Sequence, residues 1–305
     1  MPVTLAVVIP ATDNPPTLDR CLAAITAADD PPAEVIVVST PHDAGPAEAR
    51  NAGVLQTQAD VVVFIDSDVV VQPDVFARIR KAFALDDDLV AVVGSYDDLV
   101  ASGEIVAGFR NLLHHTIHQR SAGDVRSFWA GLGAVRRTVF DDVGGFDADR
   151  YPHPSIEDIE LGARLAEKGR ITLDPDLRGT HLKRWTLSSM VQTDFSRRGV
   201  PWVALLVEQR AIPATLNLGI RERGSALAAV AVAYGLVRRR PLVAASGVLA
   251  GAAFNRDLIS LLRKRLGVRG ALAGVGLHTI HQLTAVASVP AGLADARCLM
   301  RTRRR

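Results

Sequence analysis

Two cysteines, Cys21 and Cys298, stand near opposite ends of a chain of 305 residues. That scarcity excludes a disulfide framework, and the absence of metal-type Cys spacing argues against a structural zinc site. Basic residues are missing ahead of the first apolar stretch, which Pro10 interrupts, so this stretch reads as a first strand and not as a secretory signal. The strongest apolar runs, 226–237 and 242–254, have 12 and 13 residues, short of the roughly 20 that span a bilayer. Acidic residues are scarce beyond residue 220, where 3 stand against 15 Lys and Arg, while residues 1–220 hold 30 against 20. A net charge of +2 therefore conceals an acidic body and a basic tail, and such a tail suits an anionic surface. The tail nearly lacks aromatic residues to stack on bases, so nucleic acid is excluded as a partner in favour of an anionic membrane.

What is present is an alternation. Apolar runs at 5–9, 35–38, 61–65 and 89–93 are separated by helix-suited segments at 17–28, 47–58 and 74–84, with Pro15-Pro16 and Pro73 placed as helix entries. The pattern predicts an α/β fold over residues 1–220, a doubly wound mixed sheet flanked by helices, followed by a basic, apolar helical region over 221–305. Residues 94–127 show weak periodicity, and Gly94, Gly103, Gly108 and Gly123 suggest mobile connections around a short helix. Residues 155–165 have helical spacing, and 171–173 suit one more strand.

The run Val61-Val-Val-Phe-Ile65 ends abruptly in Asp66-Ser-Asp68. A stretch so apolar suits a strand buried on both faces, and such sheets bind ligands beyond their carboxyl ends. Side chains two apart on an extended chain project to one side, so both carboxylates can face a hard divalent cation that bridges phosphate oxygens. A pair of solvated turn aspartates is the plain alternative. Glu157 and Asp158 likewise have two readings, since Ser155-x-x-Asp158 has the form of a capping box and acids near a helix start favour its dipole.

Taken in order, the opening Val-Val-Ile-Pro strand, Glu34-Val-Ile-Val-Val38, Gly45-Pro-Ala-Glu-Ala-Arg-Asn-Ala-Gly53, Asp66-Ser-Asp68, Val143-Gly-Gly-Phe-Asp147 and Glu157-Asp-Ile-Glu-Leu161 resemble the family-two inverting glycosyltransferases of GT-A fold, membrane-associated type. The resemblance covers about residues 3–190. It implies a metal-dependent hexosyl transfer from a nucleoside-diphosphate sugar to a glycan or lipid-linked acceptor, at the cytoplasmic face of the cell membrane during envelope synthesis. Mg²⁺ or Mn²⁺ would be held by Asp68, with Asp66 and His181 completing the site, and Asp158 beside Glu157 would be the catalytic base. Ala11, Asp13, Asn14, Arg50, Asn51 and Arg184 would bind the donor. Trp129, Gly131 and Trp185 would form the acceptor side, with Trp185 offering a flat apolar face.

Each of these roles has a structural counterpart: a loop-edge histidine for His181, an exposed helix arginine for Arg50, a tight turn for Gly131 and Gly133, helix packing for Trp185. A departure follows the second strand, where Ser39-Thr40-Pro41 replaces the family's acidic segment and removes the acid that contacts the base. A UDP-sugar is expected ahead of a GDP-sugar. Two rival functions frame the reading. A nucleotidyltransferase needs a Gly-rich basic loop near the first strand, and residues 10–19 contain neither glycine nor lysine. A non-catalytic member holding partners at the membrane fits the altered 39–41 segment but not the intact Asp68 and Asp158. Residues 226–290 are expected to form membrane-associated helices, a shallow hairpin with Arg238-Arg239-Arg240-Pro241 at its turn.

Overall fold

The computed structural model describes residues 3–101, 103–209 and 219–302. Two compact units divide the chain, the first Met1–Asp97 with His118–Lys183, the second Asp98–Ile117 with Arg184–Arg305. This division differs from a boundary at residue 220. The reason is local packing: the segment after Arg184 contributes Trp185 and Met190 to a helical core shared with Phe109, Leu112, Leu258 and Leu262.

In the first unit, β1 (Leu5–Pro10), β2 (Glu34–Val38), β3 (Val61–Ile65), β4 (Val69–Val71), β5 (Leu89–Tyr96), β6 (Gly123–Val125), β7 (Leu132–Arg136) and β8 (Arg170–His181) build one mixed sheet. Its order is β2-β1-β3-β7-β5-β8-β4, with β6 paired to β8. β1 runs parallel to β2 and β3, whereas β7 enters antiparallel between β3 and β5. Every residue of β3 is buried, as a central strand of uninterrupted Val, Phe and Ile requires. Phe64 on that strand packs edge-on to Phe128 and Phe146 and tilted to Phe140.

Helices α1 (Leu18–Thr26), α2 (Pro46–Val54), α3 (Val75–Leu85), α5 (Arg137–Asp142) and α6 (Glu157–Leu165) belong to this unit, and α4 (Ile105–Arg120) begins in the second unit and ends in the first. Pro46 opens α2 where its missing N–H is no loss. Gly53 lets α2 lie directly on β1, since a Cβ there would stand 2.3 Å from Val8 Cγ1.

The 94–127 segment is more ordered than its glycines imply. α4 spans 16 residues, and its apolar side chains Phe109 and Leu112 are fully buried, so packing and not local periodicity holds it. The second unit continues with α7 (Leu187–Gln192), a π-helical turn (Thr193–Gly199), α8 (Val200–Gln209), α9 (Ile220–Val237), α10 (Pro241–Phe254) and α11 (Arg256–Thr302), which breaks at Gly267, φ 71°. Among the described residues no single helix is long and apolar enough to cross a membrane; α10 and α11 pass together but are bent by 82°.

Candidate active site

The site gathers at the carboxyl edge of β3, where the buried strand stops and Asp66 and Asp68 become half-exposed. Their surroundings differ. Asp66 Oδ1 accepts from Arg50 Nη2 at 2.7 Å, and the same guanidinium gives Nη1 to Glu157 Oε1 at 3.0 Å. Asp68 Oδ2 instead faces His181 Nε2 at 3.5 Å, and its backbone carbonyl accepts from Leu182 N–H. Burial pushes the Asp66 carboxyl up, and Arg50 does not fully offset it. Burial acts on Asp68 too, but there His181 and then Lys183 outweigh it and hold the carboxyl below its ordinary range.

Arg50 is not an exposed helix arginine. It is 4% exposed, caught between two carboxylates and over the Phe146 ring, with Nε buried and lacking a hydrogen-bond partner. Burial works against its charge, and Asp66, Glu157 and Asp158 more than restore it. Asn51 is also committed to the fold, giving Nδ2–H to the Phe146 carbonyl at 2.8 Å and accepting the Phe146 N–H at 2.9 Å. That clamp secures the turn at Gly144 and Gly145, both at positive φ, which the Val143-Gly-Gly-Phe pattern provides without strain.

Glu157 is buried in the Arg50 pair, and its Oε2 accepts the Ser155 N–H at 2.8 Å. The N-cap of α6 is Ile156, whose side chain makes no cap bond. Asp158 stays half-buried, accepting from Ile159 N–H at 2.8 Å and Ala130 N–H at 3.3 Å. The next residue, Gly131, uses its carbonyl to accept the Asp66 N–H at 3.1 Å. Residues 130–131 and Arg50 therefore tie the two acidic motifs together across 90 residues of sequence.

An aromatic file lies behind Asp68. His181 stacks on Tyr96 at 4.1 Å, Trp129 meets Tyr96 edge-on at 4.8 Å, and His118 meets Trp129 at 5.3 Å. Gly131 is explained by this packing, because a Cβ there would fall 2.5 Å from the Trp129 ring. Tyr96 and Lys183 carry weight in the site that the sequence reading did not give them. Tyr96 ends β5, three residues past the apolar run 89–93; Lys183 lies two residues past His181.

The remaining expected residues divide. Ala11, Asp13 and Asn14 lie in the turn leaving β1, Ala11 buried and the other two exposed, with Asn14 at φ 49° as asparagine tolerates. Arg184 is exposed and Trp185 buried in the second unit, where Arg110 covers the indole at 5.0 Å. The flat acceptor face expected of Trp185 is thus turned to core packing. Among the described residues no group of three His, Cys, Asp or Glu side chains converges on one point. Asp68 and His181 face each other, while Asp66 is engaged by Arg50.

Residues 35–144 match the model of Glycosyl transferase family 2. Two relatives, each a pre-mycofactocin glycosyltransferase of a strain of Mycobacterium tuberculosis, are 30% identical over 166 residues, covering 52% of this chain and 34% of theirs. The chain thus spans about a third of the length of these relatives. Among solved structures, a mannosyltransferase from Pyrobaculum calidifontis in complex with GDP-Man and Mn²⁺ has TM-score 0.59 at 18% identity, over 97% of this chain and 88% of that one. That likeness is one of fold, the mixed α/β architecture of GT-A proteins.

Proposed function

We propose that the chain, whose residues 35–144 match the model of Glycosyl transferase family 2, moves a sugar from a nucleoside-diphosphate donor to a membrane-proximal acceptor, with inversion, at the cytoplasmic face of a membrane. The observation that carries this reading is the tie between the two acidic motifs through Arg50 and residues 130–131. It supports a reading in which Asp68, two residues past Asp66, and Asp158, next to Glu157, act on the same bound substrates.

Asp68 and His181 are the residues we assign to a divalent cation. One carboxylate oxygen and one imidazole nitrogen would suit Mn²⁺ or Mg²⁺. Bound there, such an ion supplies Lewis-acid stabilisation of the diphosphate leaving group. The protein's own residues do the rest. Lys183, whose charge already acts on both aspartates, adds positive potential where the diphosphate leaves. Asp158 takes the acceptor hydroxyl's proton, its orientation fixed by two backbone N–H groups. Glu157 sets the height of α6 through Arg50 and does not meet the reacting atoms.

Incubating the protein with Mn²⁺, a panel of UDP- and GDP-sugars, and membrane extract tests the assignment. Asp158→Asn should keep donor affinity and lose transfer by about 10²–10⁴-fold. Wild-type turnover by that variant would remove Asp158 as the base.

A further inference from the structure

α9 and α10 form an antiparallel pair packed through small residues. A Cβ on Gly235 would stand 2.4 Å from Ala244 N, and one on Gly247 would stand 2.7 Å from the Ala228 carbonyl oxygen, so the backbones meet closely and no large side chain fits between them. The large apolar side chains are consequently left outside. Around the turn, Leu236, Val237 and Leu242 are 69%, 80% and 85% exposed, and Leu227 and Leu249 continue the apolar surface along the pair. Between these residues stand Arg238, Arg239 and Arg240, all exposed.

From 223 to 256 the sequence has five arginines and no acidic residue. Exposed leucine and valine interleaved with unpaired positive charge is a poor surface to present to water. It also suits a second copy badly, because joining two such tips sets arginines against arginines. α11 differs: Leu258, Leu262 and Leu277 are buried in the second unit's own core. α11 also exposes Val268 and Leu272, at 60% and 71%, but the most exposed adjoining apolar side chains, Leu236, Val237 and Leu242, meet at the α9–α10 turn, a narrower segment than the 226–290 region expected from hydropathy.

We propose that the α9–α10 turn is a docking surface for an anionic lipid bilayer, with Leu236, Val237 and Leu242 entering the acyl boundary and Arg238–Arg240 held among headgroup phosphates. This deepens the membrane side of the proposed function but does not depend on transfer. α10 is 14 residues, about 21 Å as a helix, so the insertion is shallow and not spanning. Apolar entry and headgroup attraction act together, as in interfacial anchors.

The test is co-sedimentation of the full chain with vesicles of phosphatidylcholine alone or mixed with phosphatidylglycerol. Binding to the mixed vesicles only is expected. Replacing Arg238, Arg239 and Arg240 together by Gln should weaken it roughly a hundredfold, and Leu236→Ser with Leu242→Ser should make the remainder fully salt-sensitive. All these side chains are exposed, so unchanged thermal unfolding serves as the control for folding. Asp68→Ala should sediment like wild type, which separates failure here from failure of the transferase reading. Equal binding to neutral vesicles, no binding to either, or a stable dimer in light scattering that the Leu substitutions dissolve would each overturn the proposal.

Discussion

Arg50 and Arg110 are both buried arginines facing carboxylates, yet they hold different kinds of structure together. Arg50 joins Asp66 to Glu157, two acids from motifs 91 positions apart, and each of those acids neighbours a residue with a proposed chemical task. Arg110, in the second unit, meets Asp194 at 3.0 Å and covers Trp185, while Asp194 also receives His281 Nδ1 at 2.7 Å. In the first unit one cation serves two anions; in the second, one anion is served by two donors. The difference predicts where the protein tolerates loss. Removing a shared centre strands more than removing one of two supports.

The largest effect should follow Arg50→Met. It leaves two carboxylates without their cation, at a cost of about 3–5 kcal/mol, read as a fall in the urea midpoint. Arg50→Lys should recover only part of that, because an ammonium cannot fork to two acids as a guanidinium does. Arg110→Met keeps His281 on Asp194 and keeps an apolar cover over Trp185, so a loss of about 2 kcal/mol is expected. If the two methionine variants lose equal stability, the contrast between shared and doubled support fails.

Acid sharpens the comparison further. Burial raises the Asp194 carboxyl, but His281 and Arg110 overcome it and hold its pKa below the ordinary 3.8. Such a group contributes stability above pH 3.8 that is lost as pH falls through the depressed value, since the unfolded chain then binds the proton first. Asp194→Asn should therefore lower stability at neutral pH and flatten its decline between about pH 4 and 2. An unchanged acid limb would show that Asp194 is not part of what acid breaks.

The smallest effect concerns thiols. Burial, then Asp66 and Asp68, push the Cys21 thiol up to about 12, whereas Cys298 is exposed. The folded protein should react with one equivalent of a thiol reagent at neutral pH and reveal the second only on unfolding. Rapid modification of both in the native state would contradict the burial of the sheet edge beneath the site.

These contrasts also show what the sequence carried on its face. The end of β3 in Asp66-Ser-Asp68 was legible because an uninterrupted apolar run has one reading in a sheet and its stop is visible. α4 was not, because its glycines obscure a helix that tertiary packing of Phe109 and Leu112 sustains. The double pairing of Arg50 was not legible, since nothing near position 50 points to a carboxylate at 157. The long-range partner of Glu157 was hidden in the same way, since its local sequence shows only an acid near a helix start. Trp185 was given an acceptor face through the family resemblance, with helix packing as the alternative; the packing partners Phe109, Leu258 and Leu262 lie far off in sequence.

The central claim is that the acids at this edge divide labour, Asp68 for donor and cation and Asp158 for the acceptor proton. Calorimetric titration of UDP- and GDP-sugars in the presence of Mn²⁺ tests it most directly, using wild type, Asp68→Ala and Asp158→Asn. Wild type and Asp158→Asn are predicted to bind one donor with matching affinity, and Asp68→Ala to show no Mn²⁺-dependent heat while remaining folded. Undiminished Mn²⁺-dependent binding by Asp68→Ala, or loss of donor binding in Asp158→Asn, would contradict it.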